Sequence, residues 1–403
     1  VYGILFSSTN DDEDSYAIDE VLALPMLGPN SYTGEDTVEI FCHGGKMAAR
    51  QVVAACRRAG CEPASPGEFT RRAFLNGRLS LDQAEAVADL IHAENEAVAQ
   101  AAVRQLLGGL DGQLRDIEDP LLDLLSRIEG SLEFVDEEEV SVPDDEVGQV
   151  LARSIDRIDE LLAMAPAGRL LRDGIHVVLA GAPNVGKSSL FNALLGEDRA
   201  IVDGEAGTTR DVVSGRVVRG GTTFVFHDTA GLRDDPGRVE KMGIDRTWKK
   251  VGEADVVLLL SEAGGETARE PAGVAAPVIR VTTKTDLGPG CSGKMSDGVL
   301  AVSAAMGDGL DELWSALDLA VAGYRLQEAV SLGVILNERH LRRLERCRDD
   351  LRSLVAEILT SHHGDEVVGT MLSSILQRLG EISGRVFTEQ LLESVFQRFC
   401  VGK

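Results

Sequence analysis

The stretch GAPNVGKSS, from Gly181 to Ser189, has the residue types and spacing of a phosphate-binding loop. It follows an apolar run typical of a strand, precedes a run typical of a helix, and matches the pattern G-x-x-x-x-G-K-[ST]. Glycines let the backbone N–H groups and the helix N-terminus face an anion. A structural glycine-rich turn is the alternative for this motif taken alone. The predicted contacts to a nucleotide are Asn184, Val185, Gly186, Lys187, Ser188 and Ser189.

Two further motifs extend this phosphate chemistry. DTAG, residues 228–231, closes the apolar run TTFVFH, where Asp228 can hold Mg²⁺ through water and the N–H of Gly231 can sense a γ-phosphate. GTTRD, residues 207–211, lies between the two motifs, and a threonine there can complete a metal shell only when a triphosphate is bound. Ser188 is a second predicted Mg²⁺ ligand. We therefore add Asp228, Thr229, Ala230 and Gly231 to the predicted nucleotide contacts.

Two later strand ends predict which base is bound. TKTD, 283–286, and VSAA, 302–305, each follow an apolar run. Asp286 offers two acceptor oxygens to the adjacent N1–H and N2–H₂ donors of guanine, a pair that adenine lacks, so the motifs favour GTP. The predicted base contacts are Thr283, Lys284, Asp286, Ser303 and Ala304. The series resembles the GTPases related to translation factors, most of which carry Asn where this chain has Thr283.

The motif series leaves one catalytic position unfilled. Leu232 follows DTAG at the place where Ras-like GTPases carry a glutamine that orients the attacking water. A leucine can neither orient water nor accept a proton. Another side chain must orient the water, and another positive charge must stabilise the transition state.

The elements that carry these motifs alternate between strands and helices. The predicted strands are IHVVLAG, TTFVFH, DVVLLLS, VIRVTT and VLAVS, and the pattern ends near Tyr324. Such alternation indicates a doubly wound, mostly parallel sheet with helices on both faces. Residues 1–76 instead mix short strands, such as Glu35–Phe41, with short helices. Residues 81–165 and the chain after Tyr324 have helical periodicity, with a predicted break at Pro120.

Composition narrows the class of protein. The 403 residues suggest two to four domains, and the net charge of −26 argues against broad, sequence-independent nucleic-acid binding. No apolar run approaches the roughly 20 residues of a membrane span. Six scattered cysteines without a C-x-x-C pair indicate a reducing compartment. One predicted helix carries a stripe of arginines that we expect to form a solvated, salt-bridged face: Arg339, Arg342, Arg343, Arg346, Arg348 and Arg352.

Five stretches, which flank or extend the shared GTPase motifs, resemble the MnmE (TrmE) family of tRNA modification GTPases. They are GPNSYTGEDTVEIFCHGG at 28–45, SPGEFTRRAFLNGRLSLDQAEAVADLI at 65–91, AIVDGEAGTTRD at 200–211, DTAGLR with VEKMGI at 228–244, and the terminal C-V-G-K. The resemblance covers essentially the whole chain. Because the chain begins with Val1 inside the first predicted domain, we expect the start of that domain to be missing.

The resemblance implies a multidomain fold of α/β and all-α parts. Residues 1–76 would form an N-terminal α/β domain that binds folate and dimerises, and residues 171–324 the P-loop GTPase domain. That GTPase domain would be inserted between the two segments of a discontinuous helical domain, residues 77–170 and 325–403. The implied partners are a second copy of the chain, the FAD-dependent protein MnmG (GidA) and tRNA. The implied reaction adds an aminomethyl or carboxymethylaminomethyl group to carbon 5 of the wobble uridine of certain tRNAs.

The resemblance also implies roles for individual residues around the nucleotide. Potassium, in place of an arginine finger, would be bound by Asn184, Asp203, Glu205 and Thr208, and Mg²⁺ by Ser188 and Thr209. Glu240 would orient the attacking water and so fill the gap left by Leu232. Without the resemblance, Glu240 is interpreted as an ordinary solvated helix residue.

The implied folate is 5-formyl- or 5,10-methylene-tetrahydrofolate, with Glu39, Arg78 and Lys403 as ligands. The segment Thr388–Phe399 carries an apolar face that we expect to dock against the helical domain and direct the tail, with Cys400 beside the folate. A frayed end is the alternative for that tail. A ribosome-assembly GTPase of the Era type and a folate-sensing GTPase scaffold remain alternatives for the whole chain. The expected location is the bacterial cytoplasm or an organelle matrix, with no membrane association.

Overall fold

A computed structural model describes residues 1–7, 15–133, 142–196, 213–228, 254–264, 276–287, 298–360, 365–396 and 399. The chain divides into two compact units. The first unit comprises residues 1–91, 105–158 and 342–403, and the second comprises residues 92–104 and 159–341. In the described part of the chain, no helix is both long and apolar enough to cross a membrane.

The first unit opens with an antiparallel sheet of three strands in the order β1–β2–β3. These strands are Tyr2–Phe6, Ala17–Met26 and Thr37–Phe41. Helix α1, Lys46–Arg58, contacts β2, and Val21 and Val52 are buried. Helix α2, Glu68–Leu75, follows Gly67, which is left-handed at φ 69°. The predicted strand Glu35–Phe41 is present as β3, which begins two residues later, at Thr37.

The remaining helices are numbered in chain order, and most carry an apolar stripe at helical spacing. They are α3 Leu81–Ile91, α4 Glu96–Leu106, α5 Gly109–Glu133, α6 Asp144–Ala163, α7 Ala165–Asp173, α8 Lys187–Gly196, α9 Leu310–Val321, α10 Leu326–Leu332, α11 Glu338–Thr360, α12 Asp365–Ser383 and α13 Glu389–Phe396. In α5, Leu114, Ile117 and Leu121 are completely buried, and α5 packs against α12. The helical periodicity predicted on both sides of the strand-rich region is confirmed.

The break predicted at Pro120 is wrong, because α5 continues through it. A proline inside a helix removes one N–H and leaves the carbonyl four residues earlier without its usual donor. Here that carbonyl belongs to Asp116, and both residues face solvent, where water can satisfy it. Ile117 and Leu121 flank the proline on the buried face, so their packing offsets the cost.

Helix α13 and Phe399 dock as the apolar pattern predicts. Thr388 Oγ1 accepts a hydrogen bond from the backbone N–H of Leu391 at 3.3 Å, so Thr388 caps the helix. The buried side chains Leu392, Val395, Phe396 and Phe399 share one apolar cluster with Phe74, Leu81, Ala84 and Val87 of α2 and α3. Residues 400–403 lie outside the described residues.

The second unit contains a six-stranded sheet in the order β5–β6–β4–β7–β8–β9. Its strands are β4 Ile175–Gly181, β5 Val213–Arg219, β6 Thr222–Asp228, β7 Val256–Glu262, β8 Val278–Thr283 and β9 Val299–Ala301. Five strands are parallel, and the five predicted apolar runs form them. On one face, Trp314 of α9 lies edge-on to Phe224 and Phe226, with ring centroids 5.3 and 5.6 Å away.

The antiparallel edge strand β5 was not predicted. It pairs with β6 through the two-residue turn Gly220–Gly221, whose φ angles are 57° and 81°. Two positive φ angles in succession characterise the tight turn that joins twisted antiparallel strands, and glycine adopts them without steric cost. The dipeptide Gly-Gly between VSGRVVR and TTFVFH was the available sequence signal.

The predicted solvated, salt-bridged arginine stripe of α11 is present in part: Arg342, Arg346 and Arg352 are exposed, and Arg339, Arg343 and Arg348 are half-buried. Arg343 pairs with Glu381 at 2.7 Å and Arg348 with Asp349 at 3.0 Å. The Arg348–Asp349 pair is open to solvent and contributes little to stability, about 0–1 kcal/mol, whereas the Glu381 oxygen that pairs with Arg343 is buried.

Candidate nucleotide-binding site

The loop between β4 and α8 has the backbone geometry of a phosphate cradle. Asn184 and Gly186 are left-handed at φ 64° and 94°, and the loop ends at Lys187, the first residue of α8. A Cβ at Gly181 would lie 2.5 Å from the carbonyl oxygen of Leu260 on β7, so only glycine fits there. Ser188 and Ser189 are exposed at the helix N-terminus. This arrangement suits an anionic ligand at the helix N-terminus.

Lys187 is held inside the loop. Its ammonium group donates to the carbonyl oxygens of Gly181 at 3.0 Å and Ala182 at 2.8 Å. The side chain is buried, which lowers the pKa of the ammonium group, and the charge of Asp228 partly opposes that shift. A poorly hydrated cation bound only by carbonyl dipoles would gain from an approaching phosphate anion.

Thr283 connects the loop to the end of β8. Its buried hydroxyl is within hydrogen-bonding reach of the carbonyl oxygen of Val185 and of the carbonyl oxygen of Ser261, the latter at 3.1 Å. A hydroxyl carries one hydrogen, so the two carbonyls share a single donor. Thr283 therefore tethers the phosphate loop from behind and does not face outward to the base.

Asp286 and Ser303 lie together at the ends of β8 and β9. Ser303 Oγ donates to Asp286 Oδ1 at 2.7 Å and accepts from the N–H of Met306 at 3.3 Å. Ser303 is fully buried and Asp286 is exposed, so the serine orients a carboxylate that faces solvent. Lys284, left-handed at φ 57°, reaches back to Glu262 at 3.0 Å. Ala304 follows Ser303 in the same loop.

The carboxyl ends of the parallel strands bring these groups to one edge of the sheet. Asp228 is buried at the end of β6, where it pairs in register with Leu179 of β4, two residues before the loop. Thr283 lies at the same edge, opposite Glu262. Phosphate-loop and base-side predictions thus converge at the crevice where open α/β sheets bind ligands.

The other predicted nucleotide and metal residues lie outside the described residues. These are Asp203, Glu205, Thr208, Thr209, Thr229, Ala230, Gly231 and Glu240. Among the described residues, the side chains that could bind a cation here are the exposed hydroxyl of Ser188 and the side chain of Asn184, both on the phosphate loop. The carboxylate of Asp228 lies nearby on β6. Hydroxyl, amide and carboxylate oxygens fit the hard cations Mg²⁺ and K⁺.

The predicted folate residues lie in the first unit. Glu39 is exposed on β3, and Arg78 is exposed just after α2, with its Cγ 3.2 Å from where a Cβ on Gly34 would be. The sequence did not predict the hydrogen bonds of Asn76, which connect the end of α2 to the segment before β3. Asn76 Nδ2 donates to the carbonyl of Thr33 at 2.8 Å and to Glu35 at 3.0 Å. The hydrogen bond from Asn76, and to a smaller extent the one from Arg72, lower the pKa of the Glu35 carboxyl group. Lys403 and Cys400 lie outside the described residues.

Phe399, the last described residue, packs close to Gly67 at the start of α2. A Cβ on Gly67 would lie 2.9 Å from the Phe399 ring, so the glycine at the start of α2 allows the aromatic side chain to seat there. Arg71 of α2 forms an ion pair with Glu389 of α13. The alternative of a frayed end concerns residues 400–403, which lie outside the described residues, so it stays a prediction.

Two protein-family models match the chain. The model of the MnmE helical domain matches residues 81–400, and the model of the N-terminus of the GTP-binding protein TrmE matches residues 2–78. Together they account for nearly every residue.

Several curated proteins are similar over almost their full lengths. The tRNA modification GTPase MnmE of Akkermansia muciniphila is 41% identical over 397 residues, which cover 97% of this chain and 87% of that protein. The MnmE of Symbiobacterium thermophilum is 41% identical, with 96% and 86% covered. The MnmE of Aquifex aeolicus is 37% identical, with 100% and 90% covered.

Proposed function

The chain belongs to the MnmE family of tRNA modification GTPases, and from this premise we propose that it hydrolyses GTP to drive the modification of tRNA. The observation that carries the proposal is the convergence of Lys187, Asp228 and Asp286 at one edge of the six-stranded sheet. Both family models extend through the flanking regions, which favours this function over an Era-type ribosome-assembly GTPase.

The described side chains have distinct roles in nucleotide binding. Lys187 exchanges its loop carbonyls for the β- and γ-phosphate oxygens, which form stronger, charge-assisted hydrogen bonds. Asp286 accepts from guanine N1–H and N2–H₂, and Ser303 keeps that carboxylate in one orientation. Thr283 holds the loop at Val185 while the phosphates bind.

We infer that the residues for hydrolysis come partly from the phosphate loop and partly from segments outside the described residues. Mg²⁺ and K⁺, when bound, supply positive charge that stabilises the phosphoryl group in the transition state. Ser188 and Thr209 would hold the first, and Asn184 with Asp203, Glu205 and Thr208 the second. Glu240 orients the attacking water and accepts its proton late in the step. Leu232 leaves that role open.

Potassium dependence separates this mechanism from one that uses an arginine finger. Turnover should fall about 10³-fold when K⁺ is replaced by Na⁺ at equal ionic strength, since loss of a transition-state charge has that size. Equal turnover in the two buffers would contradict the proposal.

Glu240→Ala should abolish turnover while GTP affinity stays close to that of the parent chain, because the carboxylate acts in the transition state.

The further steps that we propose involve folate and two partners. Glu39, Arg78 and Lys403 would bind a one-carbon tetrahydrofolate, Arg78 and Lys403 through its anionic glutamate tail. A second copy of the chain would cover the exposed apolar face of the β1–β3 sheet. With an FAD-dependent MnmG-like protein, the assembly would modify carbon 5 of the wobble uridine. The three-domain division at residues 76, 170 and 324 belongs to this proposal.

Measurement of modified wobble uridine in cells that lack the gene tests the whole proposal. Loss of the modification, restored by the full chain, supports it, whereas unchanged modification would favour the folate-sensing scaffold or an Era-type role.

Deletion of residues 400–403 sharpens the test. We expect nearly normal GTP hydrolysis but no modification, since the deleted residues begin just after the docked Phe399. Wild-type modification by the truncated chain would mean that the tail is dispensable.

A further inference from the structure

Helix α1 ends in a turn that brings two cysteines together. Gly60 is left-handed at φ 97°, and its N–H bonds to the carbonyl of Arg57 at 3.1 Å. The N–H of Cys61 bonds to the carbonyl of Cys56 at 3.0 Å. This pair of hydrogen bonds defines the Schellman motif, in which the side chains of the two outer residues commonly contact each other. In this chain those two residues are Cys56 and Cys61.

The backbone hydrogen bond limits the distance between the two cysteines. With an N···O distance of 3.0 Å, standard bond lengths keep the Cα atoms of Cys56 and Cys61 within about 7 Å, and any bend shortens that separation. Disulfides join Cα atoms that are roughly 4.4–6.8 Å apart. The backbone of the turn therefore limits the two Cα atoms to about the upper end of the disulfide range or closer.

Both thiols can be reached by a reagent. Cys56 and Cys61 are free, Cys61 is exposed, and Cys56 is half-buried. The intervening Arg57 and Arg58 are exposed and place two positive charges beside the pair. An anionic, low-molecular-weight disulfide would be attracted to this position.

We propose that Cys56 and Cys61 are a redox-modifiable site that forms a reversible intrachain disulfide by exchange with an anionic disulfide such as oxidised glutathione. The Cys61 thiolate attacks one sulfur of the small disulfide, forms a mixed disulfide and releases one glutathione thiolate. The Cys56 thiolate then attacks the Cys61 sulfur and expels the second glutathione. Two protein thiols are oxidised, one disulfide is reduced to two thiols, and the leaving thiolates take up the two protons.

The bond would cross-link the end of α1 next to a contact with β1. Arg58 Nε donates to the carbonyl of Ser7 at 2.8 Å, one residue after that strand. A covalent closure of the turn would hold Gly60 in its left-handed conformation and reduce fraying of the helix end. This inference depends only on the geometry of the first unit and is independent of the function proposed above.

Tryptic mapping of the full chain tests the site directly, because trypsin cleaves after Arg57 and Arg58, between the two cysteines. The reduced chain is treated with oxidised glutathione, its remaining thiols are alkylated, and it is digested without reductant. We expect peptides 51–57 and 59–71 to be joined, at a mass about 2 Da below their sum because two hydrogens are lost. Dithiothreitol should separate them, and the oxidised chain should migrate as a monomer in non-reducing electrophoresis.

Two variants serve as controls. Cys61→Ser, at an exposed position, should abolish the joined peptides, whereas Cys42→Ser removes another free thiol of the same unit and should leave them unchanged. A mixed glutathione disulfide that persists on Cys61, two alkylated thiols after oxidation, linkage of either residue to Cys42, or joined peptides found only in a covalent dimer would each overturn the proposal.

Discussion

The two sheets of this chain differ in what covers their faces. In the six-stranded sheet, β4 and β7 are continuous apolar runs buried on both faces, as parallel strands between helices require. In the three-stranded sheet, Tyr2, Leu22 and Phe41 lie in one paired row and are 68%, 48% and 52% exposed. The six-stranded sheet is buried on both faces and leaves the carboxyl ends of its strands open, whereas the three-stranded sheet leaves apolar side chains of one face exposed.

The strand ends of the six-stranded sheet carry the largest expected effect. Asp286→Asn should weaken GTP binding by about 4 kcal/mol, roughly 10³-fold, because it removes two charge-assisted hydrogen bonds to guanine. Xanthine carries an oxygen in place of the 2-amino group, to which the Asn amide can donate, so the variant should gain affinity for XTP. Fluorescent nucleotide titration measures both.

The matched control is Asp318→Asn, which removes the same charge from an exposed position on α9. It should bind GTP as the parent chain does. If Asp286→Asn retained parental GTP affinity and gained none for XTP, base recognition would have to be assigned to another part of the second unit.

The exposed face of the three-stranded sheet predicts the next largest effect. Leu22→Glu puts a charge into the middle of the row, and burial of that charge against a second copy should weaken self-association by about 3 kcal/mol, roughly 100-fold. Sedimentation equilibrium of the full chain measures it. Leu319→Glu changes a leucine of α9 that is 77% exposed and should leave the association constant unchanged. A monomeric parent chain, or equal association of the two variants, would remove the difference between the sheets.

The same contrast explains how far the sequence could predict the fold. The five parallel strands were recognisable because burial on both faces demands continuous apolar runs. Strand β5 was not, since its polar residues Arg216 and Arg219 face partners far away in sequence. Arg216 pairs with Glu94 at 2.6 Å, and Arg219 lies over the Trp314 ring, 5.0 Å from its centroid. Long-range partners of this kind leave no local pattern, so the Gly-Gly turn that follows the strand was the local signal available for β5.

The candidate site divides in a similar way. Lys187, Asp286 and Ser303 were predictable because phosphate and guanine impose fixed spacings on the residues that follow a strand. The tether from Thr283 to the carbonyl of Val185 was not predictable, since it joins residues 98 positions apart. Motif spacing therefore predicts which side chains come together at the carboxyl ends of the strands, and only the packed sheet shows which ones hold the loop.

A short polar contact joins the start of α4 to the start of β6 in the six-stranded sheet, and we expect a smaller effect from its loss. Asn95 Oδ1 caps α4 by accepting from the N–H of Val98 at 2.9 Å, and Asn95 Nδ2 donates to Thr223 Oγ1 of β6 at 2.7 Å. Asn95→Ala removes both and should cost about 2 kcal/mol. Chemical denaturation followed by tryptophan fluorescence, which includes the buried Trp314, reports on this unit.

Two companion variants sharpen that measurement. Asn95→Asp keeps the capping oxygen but not the donor, so it should lose about half as much. Gln100→Ala removes only an exposed hydrogen bond to Glu96 in the same helix and should stay within about 0.5 kcal/mol of the parent chain. If Asn95→Ala behaved like Gln100→Ala, the contact with β6 would be dispensable.

The smallest expected effect concerns a buried carboxylate of the first unit, which we compare with the buried carboxylate at the candidate site. Asp228 is buried at the candidate site, whereas Asp82 is fully buried near the start of α3, with only its Oδ1 bonded, to Ser80 at 2.5 Å. Burial raises the pKa of Asp82 from 3.8 to about 6, the Ser80 hydrogen bond opposes that shift, and the charges of Asp111 and Glu85 add to it. Because the folded chain binds this proton more tightly than the unfolded chain, ionisation above pH 6 destabilises the fold, and the loss is relieved as the pH falls from 6 toward 3.8.

Asp82→Asn removes the charge but leaves an amide N–H without an acceptor, so we expect a net gain of about 1 kcal/mol at pH 7. Hydrogen exchange of α3 in the full chain should show slower opening for the variant at pH 7, and the advantage should disappear or reverse near pH 4.5. If α3 opened faster in the variant than in the parent chain at pH 7, the Asp82 carboxylate would have to have a partner that stabilises its charge.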